Sequence, residues 1–341
     1  MIRTITLALL AAFQLGMYAN QQSAIETFMG SLEPNRVFAT KAEMEGHYKA
    51  SLQKMIAEVE ERVCKKYSMS RQELQTKYAE MEKKYSQTAA STKEEQEEEA
   101  RDEAYFLQRY GCKPVDKRLG KITRDVLKEF GVNPDRYKIF DALYGHGGLA
   151  GVMIDHYIFV NSRLLKNFSD HEVRAIMAHE VQHIIFRDNI TQSAIAGLPY
   201  PDDQLDQLVQ ECQRICELRA DLYAALKSPY YAATTEHLWQ RWQYCEKWTE
   251  RFGMKAEDHT HPDTQARTKL AHVIGKQLAA IPGNKATDPR MDSLRKSSNE
   301  YNLTWFAKRI VPFGVSLVPD MVQVARQQLV SLWNRAKCRK K

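Results

Sequence analysis

After its first twenty residues the sequence lacks any apolar run long enough to cross a bilayer as a helix, which takes about 20 residues. It also lacks a strong charge of either sign, because 49 lysines and arginines against 43 aspartates and glutamates leave a formal net charge of +6 over 341 residues. Such a small charge does not indicate nucleic-acid binding. We therefore expect a globular chain with no nucleic-acid partner and, in its mature form, no transmembrane span.

The N-terminal segment has the composition of a targeting signal. Arg3 precedes a 13-residue apolar stretch over residues 5–17, which is too short to span a bilayer and suits a secretory signal. This predicts a signal peptide over residues 1–19, a linker over 20–40 and export to a periplasm or beyond. An uncleaved membrane anchor is the alternative. No cysteine directly follows the apolar stretch, so a bacterial lipoprotein is not indicated.

Cysteine is scarce, and the six cysteines are compatible with an oxidising compartment without fixing any pairing. Cys212 and Cys216 lie one helical turn apart, a spacing poorly aimed for a mutual disulfide. We expect both to pack in the interior.

Residues 41–110 contain no proline and only one glycine, which favours long uninterrupted helices. A second helix is predicted over residues 70–85, and a third after the polar break at 87–92, ending at Gly111. Together they predict a helical hairpin or short coiled coil that gates a cleft or binds a partner protein. A solvated helical shell is the simpler alternative. The first helix carries an apolar stripe: Tyr48, Leu52, Met55, Ile56, Val59, Val63 and Tyr67.

The pentad His179-Glu180-Val181-Gln182-His183 has the pattern of half a zinc site. In a helix of about 3.6 residues per turn, its two histidines lie on one face, so both imidazoles can reach one ion. Glu180 can direct its carboxylate at a water held by that ion. The pentad alone also occurs by chance, so the residues around it decide its meaning.

The flanking residues predict a helix over about 170–186. Ser169 and Glu172 have the spacing of a capping box at its start. Such a helix would hold metal ligands rigidly. An ordinary amphipathic helix with histidines at the edge of the core is the alternative. The apolar positions at helical spacing are Val173, Ile176, Met177, Val181, Ile184 and Ile185.

A catalytic zinc takes three protein ligands and keeps one position for water. Glu217 is the candidate third ligand, because residues 205–226 also show helical apolar spacing. Asp221 follows one turn later, where its carboxylate can accept the N–H of a ligating imidazole. Glu211 is a rival ligand without such an acidic partner, and a solvated helix face is the alternative reading of this segment.

Another candidate element is the segment 261–267, which begins with His261 and ends with Arg267. Both side chains can carry positive charge and donate hydrogen bonds, as a tetrahedral oxyanion intermediate would require. A His-Pro pair alone carries little information. It gains weight here because the segment follows the pentad and the acidic pair Glu217 and Asp221 as the third part of one pattern.

The three motifs together resemble peptidase family M48, the gluzincin metalloendopeptidases that include Ste24-like and HtpX-like enzymes. The resemblance covers about residues 115–275 and depends on H-E-x-x-H, E-x-x-x-D and H-P-x-x-x-x-R. It implies one Zn²⁺ per chain. The implied ligands are His179, His183 and Glu217, with Glu180 as general base and later proton donor. It further implies that Asp221 orients an imidazole and that His261 and Arg267 lie near the scissile carbonyl.

The resemblance implies an α+β, mainly helical fold. A zincin-like peptidase core with a small antiparallel sheet would occupy residues 111–280, after an N-terminal helical hairpin or coiled-coil region over 41–110. Membrane-embedded members of the family carry hydrophobic spans around their zinc helices, and this chain has none. Soluble, exported members are therefore the closer match. No helical repeat is visible after residue 275.

A substrate-binding edge is expected just before the zinc helix. Residues 149–154 and 157–160 are apolar and rich in β-formers, which predicts a hairpin. In the family arrangement such a strand pairs with an extended peptide, so Leu149, Ala150 and Gly151 are the candidate substrate-binding residues. Main-chain pairing would favour unfolded segments over one exact sequence. A hairpin with no free edge is the alternative.

The C-terminal part divides into two segments. Residues 281–302 are polar and contain proline and glycine, which predicts a linker or surface loop. Residues 303–341 predict a helical segment with a basic tail, whose apolar face packs on the core. Peripheral contact with a membrane is left open for this segment.

These observations predict a zinc-dependent endopeptidase that cleaves unfolded or flexible protein segments in envelope protein quality control. Protein or peptide substrates are its expected partners. The alternative is a latent or non-catalytic, chaperone-like binding protein that retains a zinc site.

Overall fold

The computed structural model describes most of the residues between Ile25 and Ser298. The predicted signal peptide 1–19, the third N-terminal helix except residues 101 and 104, and the C-terminal segment 303–341 lie outside the described residues. The described residues are 25–86, 101, 104, 112–141, 150–153, 157–166, 168–188, 191, 202–251, 262–284 and 288–298.

The described chain is mainly helical with one small sheet, which confirms the mainly helical α+β prediction. No helix among the described residues combines the length and the apolarity needed to cross a membrane. The helices are α1 (Lys41–Lys66), α2 (Arg71–Ser86), α3 (Lys117–Glu129), α4 (Ser162–Leu165), α5 (Asp170–Phe186), α6 (Asp202–Leu226), α7 (Pro229–Arg251), α8 (Thr264–Ala280) and α9 (Arg290–Ser298). The strands are β1 (Lys113–Pro114), β2 (Lys138–Asp141), β3 (Ala150–Met153) and β4 (Tyr157–Val160).

The sheet is mixed, so the prediction of an antiparallel sheet is wrong in part. Its order is β1-β2-β4-β3, with β2 and β4 parallel and the other two pairings antiparallel. The chain passes from β2 to the far edge and returns through β4, which therefore runs parallel to β2. All four residues of β4 are buried, as expected for a continuous apolar run in the middle of a sheet.

The predicted hairpin before α5 is confirmed. Ala150 pairs with Val160 and Met153 with Tyr157 in an antiparallel ladder. Strand β3 stands at the end of the order formed by the described strands, and it packs against α5. The edge strand therefore lies beside the helix that carries the pentad.

Helix α1 buries its predicted apolar stripe against α6 and α8. The hydroxyl of Tyr48 donates a buried hydrogen bond of 2.7 Å to Oε1 of Gln277 in α8, so its polar atom is satisfied inside the core. In the described part of the chain, α1 thus shares a core with α6 and α8 and does not project from them. The shared cluster includes Met44, Leu52, Met55, Val59, Val63, Ile215, Leu218, Leu222, Leu270 and Val273.

A second apolar cluster joins the sheet to α3, α5 and α7. Helix α5 contributes to this cluster, whereas most apolar residues of α6 belong to the cluster around α1. The two helices with the predicted metal ligands therefore meet where the two clusters adjoin. Each helix therefore packs against its own cluster on one side, and the side chains on its other side face the second helix.

The segment predicted as a linker, 281–302, contains helix α9. Asp288 accepts a hydrogen bond of 3.0 Å from the backbone N–H of Arg290, and the Arg290 guanidinium pairs with Glu129 of α3. Leu294 is buried. The polar composition hid this helix, because ion pairs more than apolar spacing hold it to the core.

Candidate metal centre

Helix α5 forms as predicted and presents both histidines on one face. The hydroxyl of Ser169 accepts the N–H of Glu172, whose carboxylate accepts the N–H of Ser169, and this completes the capping box. Glu172 also forms a buried ion pair with Arg241 of α7. The imidazoles of His179 and His183 meet edge to face, with ring centroids 4.7 Å apart. The N-terminal half of α5 is thus fixed on two sides.

Helix α6 brings Glu217 to the same point. Oε2 of Glu217 lies 2.9 Å from Nε2 of His179, and Oε1 lies 3.4 Å from Nε2 of His183. The two Nε2 atoms are 3.0 Å apart. One ligand atom from each of the three side chains lies within 4.8 Å of the other two. The structure therefore brings together the three residues that the sequence predicted as ligands.

The donor set of this cluster fits a divalent cation such as zinc. Nδ1–H of His179 donates to Oδ1 of Asp221 at 2.9 Å, and Nδ1–H of His183 donates to Oδ2 of Asp188 at 2.6 Å. Because each Nδ1–H donates to a carboxylate, Nε2 is the atom of each imidazole that faces the other ring and Glu217. Once a cation displaces the protons held between these atoms, two Nε2 lone pairs and a carboxylate oxygen converge on one point, as a zinc site requires.

The carboxyl groups of the cluster are held in their ionised form. Burial alone would raise the pKa of Asp221, but the guanidinium of Arg267 and the imidazole of His179 bring it down to about 2. Burial would also raise the pKa of Glu217, yet His179 and His183 hold it well below its usual value. Both groups are therefore available as a hydrogen-bond acceptor and an anionic ligand across the neutral pH range.

Arg267 lies behind His179, on the side of its Nδ1 atom. Asp263 caps the start of α8 by accepting the N–H of Ala266, and Arg267 follows in the first turn. Its guanidinium pairs with Asp221 through Nε and through Nη2, the latter 2.9 Å from Oδ1, and it stacks 3.5 Å from the ring centroid of Trp239. The guanidinium is thus engaged with the residue that orients His179. This placement favours a positioning role over the predicted contact with a scissile carbonyl.

The other predicted residues are placed only in part. Glu180 lies on α5 between the two histidines and is half-buried. Ala150 and Gly151 lie in the edge strand β3. Leu149 and His261 lie outside the described residues.

Two residues of the site were missed by the sequence reasoning. Asp188 accepts the Nδ1–H of His183, and Arg219 pairs with Asp188. A signal for Asp188 was present, because an acidic residue five positions beyond the second histidine follows directly on the end of the helix. Arg219 follows Glu217 by two positions, and nothing in that spacing indicates its partner.

One comparison with known proteins covers part of this geometry, the segment that contains both histidines. Two histidines from one helix and a glutamate from a second define a candidate metal centre on a mainly helical core. Residues 116–202, about a quarter of the chain, match the model of peptidase family M48, and this similarity supports a metallopeptidase role. Neither the curated proteins nor the solved structures include a match to the chain.

Proposed function

We propose that this protein is a zinc-dependent endopeptidase that cleaves unfolded or flexible protein segments. The observation that carries the proposal is the convergence of His179, His183 and Glu217, with a carboxylate behind each imidazole. The M48 match over the segment that contains both histidines and Glu180 adds to it. The donor set is the two-histidine, one-glutamate set of hydrolytic zinc sites.

Each residue of the site would contribute a separate part of the reaction. His179, His183 and Glu217 would hold the ion through Nε2, Nε2 and the carboxylate. Bound zinc would supply Lewis-acid activation of a water and of the peptide carbonyl. The carboxylate of Glu180 would accept the proton of the attacking water and return it to the leaving amine nitrogen. His261 remains the proposed donor to the oxyanion.

Asp221 and Arg267 would act through His179 and not on the substrate. Asp221 fixes the tautomer that leaves Nε2 of His179 free to bind metal. Arg267 keeps Asp221 ionised and in place. A carboxylate behind a ligating imidazole also makes that imidazole more basic and so a better ligand.

The edge strand β3 supports the proposed preference for flexible substrates. It pairs with β4 on one side and is the last strand in the described order, so its other side faces away from the described sheet. A Cβ atom built on Gly151 would meet no described atom within 4 Å. An extended peptide could therefore pair with the backbone of Ala150 and Gly151, which only an unfolded or flexible segment can do.

The test is the cleavage of casein by the Glu180→Gln variant. Because the amide cannot accept the proton, we expect zinc to stay bound while cleavage falls by a factor of about 10² to 10⁴. Glu58→Gln makes the same chemical change at an exposed position of α1 and should leave the rate unchanged. Full activity of the zinc-loaded Glu180→Gln protein would refute the mechanism.

The same assay separates the alternative, a chaperone-like protein with a retained zinc site. Such a protein would bind zinc stoichiometrically and retain unfolded clients without cleaving them.

We also propose export through residues 1–19 and a role in envelope protein quality control, with α1 and α2 available to a partner protein. The mass of the mature N-terminus after expression in a cell with a secretory pathway tests the export.

A further inference from the structure

We propose that Asp188 and Arg219 form a second positioning pair, which fixes the orientation of His183 as Asp221 and Arg267 fix that of His179. The inference rests on the proposed zinc site. It concerns two residues outside the three motifs and assigns each a role in holding the metal.

The end of α5 places Asp188 behind His183. Arg187 adopts a left-handed conformation with φ of 53°, and its N–H bonds back to the carbonyl groups at the end of the helix. The next residue is thereby turned back toward the helix. Asp188 is buried, and its Oδ2 atom lies 2.6 Å from Nδ1 of His183. The turn itself thus delivers the acceptor to the ligand.

Arg219 holds the other oxygen of the same carboxylate. Its Nη2 atom donates to Oδ1 of Asp188, so one oxygen faces the imidazole and the other faces the guanidinium. The guanidinium also stacks on Phe186, with Cζ 4.5 Å from the ring centroid. Arg219 and the ligand Glu217 lie half a turn apart on α6. A single stretch of α6 therefore fixes the third ligand and, through Asp188, the second.

The loss of this pair should weaken the metal site specifically. Without Asp188, the Nδ1–H of His183 would face a buried position with no carboxylate to accept it, and the imidazole could rotate or shift its proton to Nε2. An Nε2–H cannot bind metal. Removal of a hydrogen-bond partner behind a metal ligand typically costs a factor of 10 to 100, as an order of magnitude, in metal affinity.

A cavity next to Arg219 makes the role of the guanidinium directly testable. The cavity has a volume of about 220 Å³ and lies between α1, α2 and α6. Arg219 forms part of its wall, together with Val63, Cys212 and Cys216. Deletion of the Arg219 side chain would enlarge this space beside Asp188. A free guanidinium ion could then occupy the place of the missing group.

The experiment measures the zinc affinity of the full chain by competition with a chromogenic chelator at neutral pH. We expect Asp188→Asn to lower the affinity by a factor of about 10 to 100 and Arg219→Ala by about 10. Millimolar guanidinium chloride should restore the affinity of Arg219→Ala, and equal concentrations of urea or sodium chloride should not. The zinc affinity of Arg219→Lys should lie between those of Arg219→Ala and the unchanged protein, because an ammonium lacks the planar fork of a guanidinium.

Arg62→Ala is the matched control. Arg62 of α1 pairs with the buried Glu211 of α6, so its loss breaks an ion pair that involves the same helix at another position. It should leave the zinc affinity unchanged. The inference is overturned if Asp188→Asn binds zinc as tightly as the unchanged protein, or if Arg62→Ala weakens binding as much as Arg219→Ala. If the unchanged protein itself binds no zinc, the proposed function fails instead.

Discussion

On both sides of the candidate metal centre a carboxylate and an arginine lie behind an imidazole, but different structures supply them. Behind His179, Asp221 of α6 and Arg267 of α8 lie 42 and 88 residues away in the chain, so helix packing assembles this support. Behind His183, Asp188 is only 5 residues away and is delivered by the turn after α5. Packing of helices gives an enclosed support, whereas the turn gives one that borders a cavity.

Because of this difference in enclosure, the two carboxylate–arginine pairs should differ in their contribution to the free energy of unfolding. The side chain of Arg267 is 5% exposed and that of Arg219 is 15% exposed and lines the cavity. Water that enters a cavity can replace part of a lost ion pair, but it cannot easily reach an enclosed one. We therefore expect the Asp221–Arg267 pair to contribute more to the free energy of unfolding than the Asp188–Arg219 pair.

The largest effect is expected for Arg267→Ala. This change leaves Asp221 ionised and buried without its main partner, which should lower the free energy of unfolding of the metal-free protein by about 3–5 kcal/mol. Arg219→Ala should cost less in the same urea titration. Equal losses for the two variants would remove the distinction between an enclosed and an accessible support.

An intermediate effect is expected in the pH dependence of Asp221→Asn. The pKa of Asp221 is about 2 in the folded protein against an ordinary value of 3.8, so the ionised carboxylate stabilises the fold above the ordinary value. This contribution, on the order of 2 kcal/mol, is lost as the pH falls toward the folded pKa. The difference in unfolding free energy between the metal-free protein and the variant should stay constant from neutral pH to about pH 5 and narrow below about pH 4. If this difference in unfolding free energy already narrowed near neutral pH, a group other than Asp221 would dominate its pH dependence.

The smallest effect is expected at the aromatic rings beneath the two guanidinium groups. Trp239→Leu removes a ring whose centroid lies 3.5 Å from Arg267, and Phe186→Leu removes one 4.5 Å from Arg219. Each change should lower the free energy of unfolding by about 1 kcal/mol through the lost cation–π contact, with the larger loss at Trp239. Thermal unfolding of both metal-free variants compares them directly. A larger loss of unfolding free energy in Phe186→Leu than in Trp239→Leu would contradict the predicted order of the two carboxylate–arginine pairs.

Local patterns predicted much of the fold. The apolar spacing and the capping box fixed α5 from Asp170 to Phe186, and the stripe of α1 is buried as its periodicity predicted. The hairpin of β3 and β4 also followed from its composition. These features depend on neighbours within a few residues. The parallel pairing of β2 with β4 was missed, because strand order depends on which segments meet across the whole chain.

For the candidate site, the sequence by itself pointed to the three candidate ligands. Two spacings are local properties of the sequence: that of His179 and His183 in one helix, and that of Glu217 and Asp221 in another. Helix geometry places the two members of each pair on one face of their helix. Only the tertiary structure decided what lies behind those ligands. It turned Arg267 toward Asp221 and closed Asp188 onto His183. The reason is physical: a helical period specifies which side chains share a face, but a buried charge takes its partner from whichever segment packs against it.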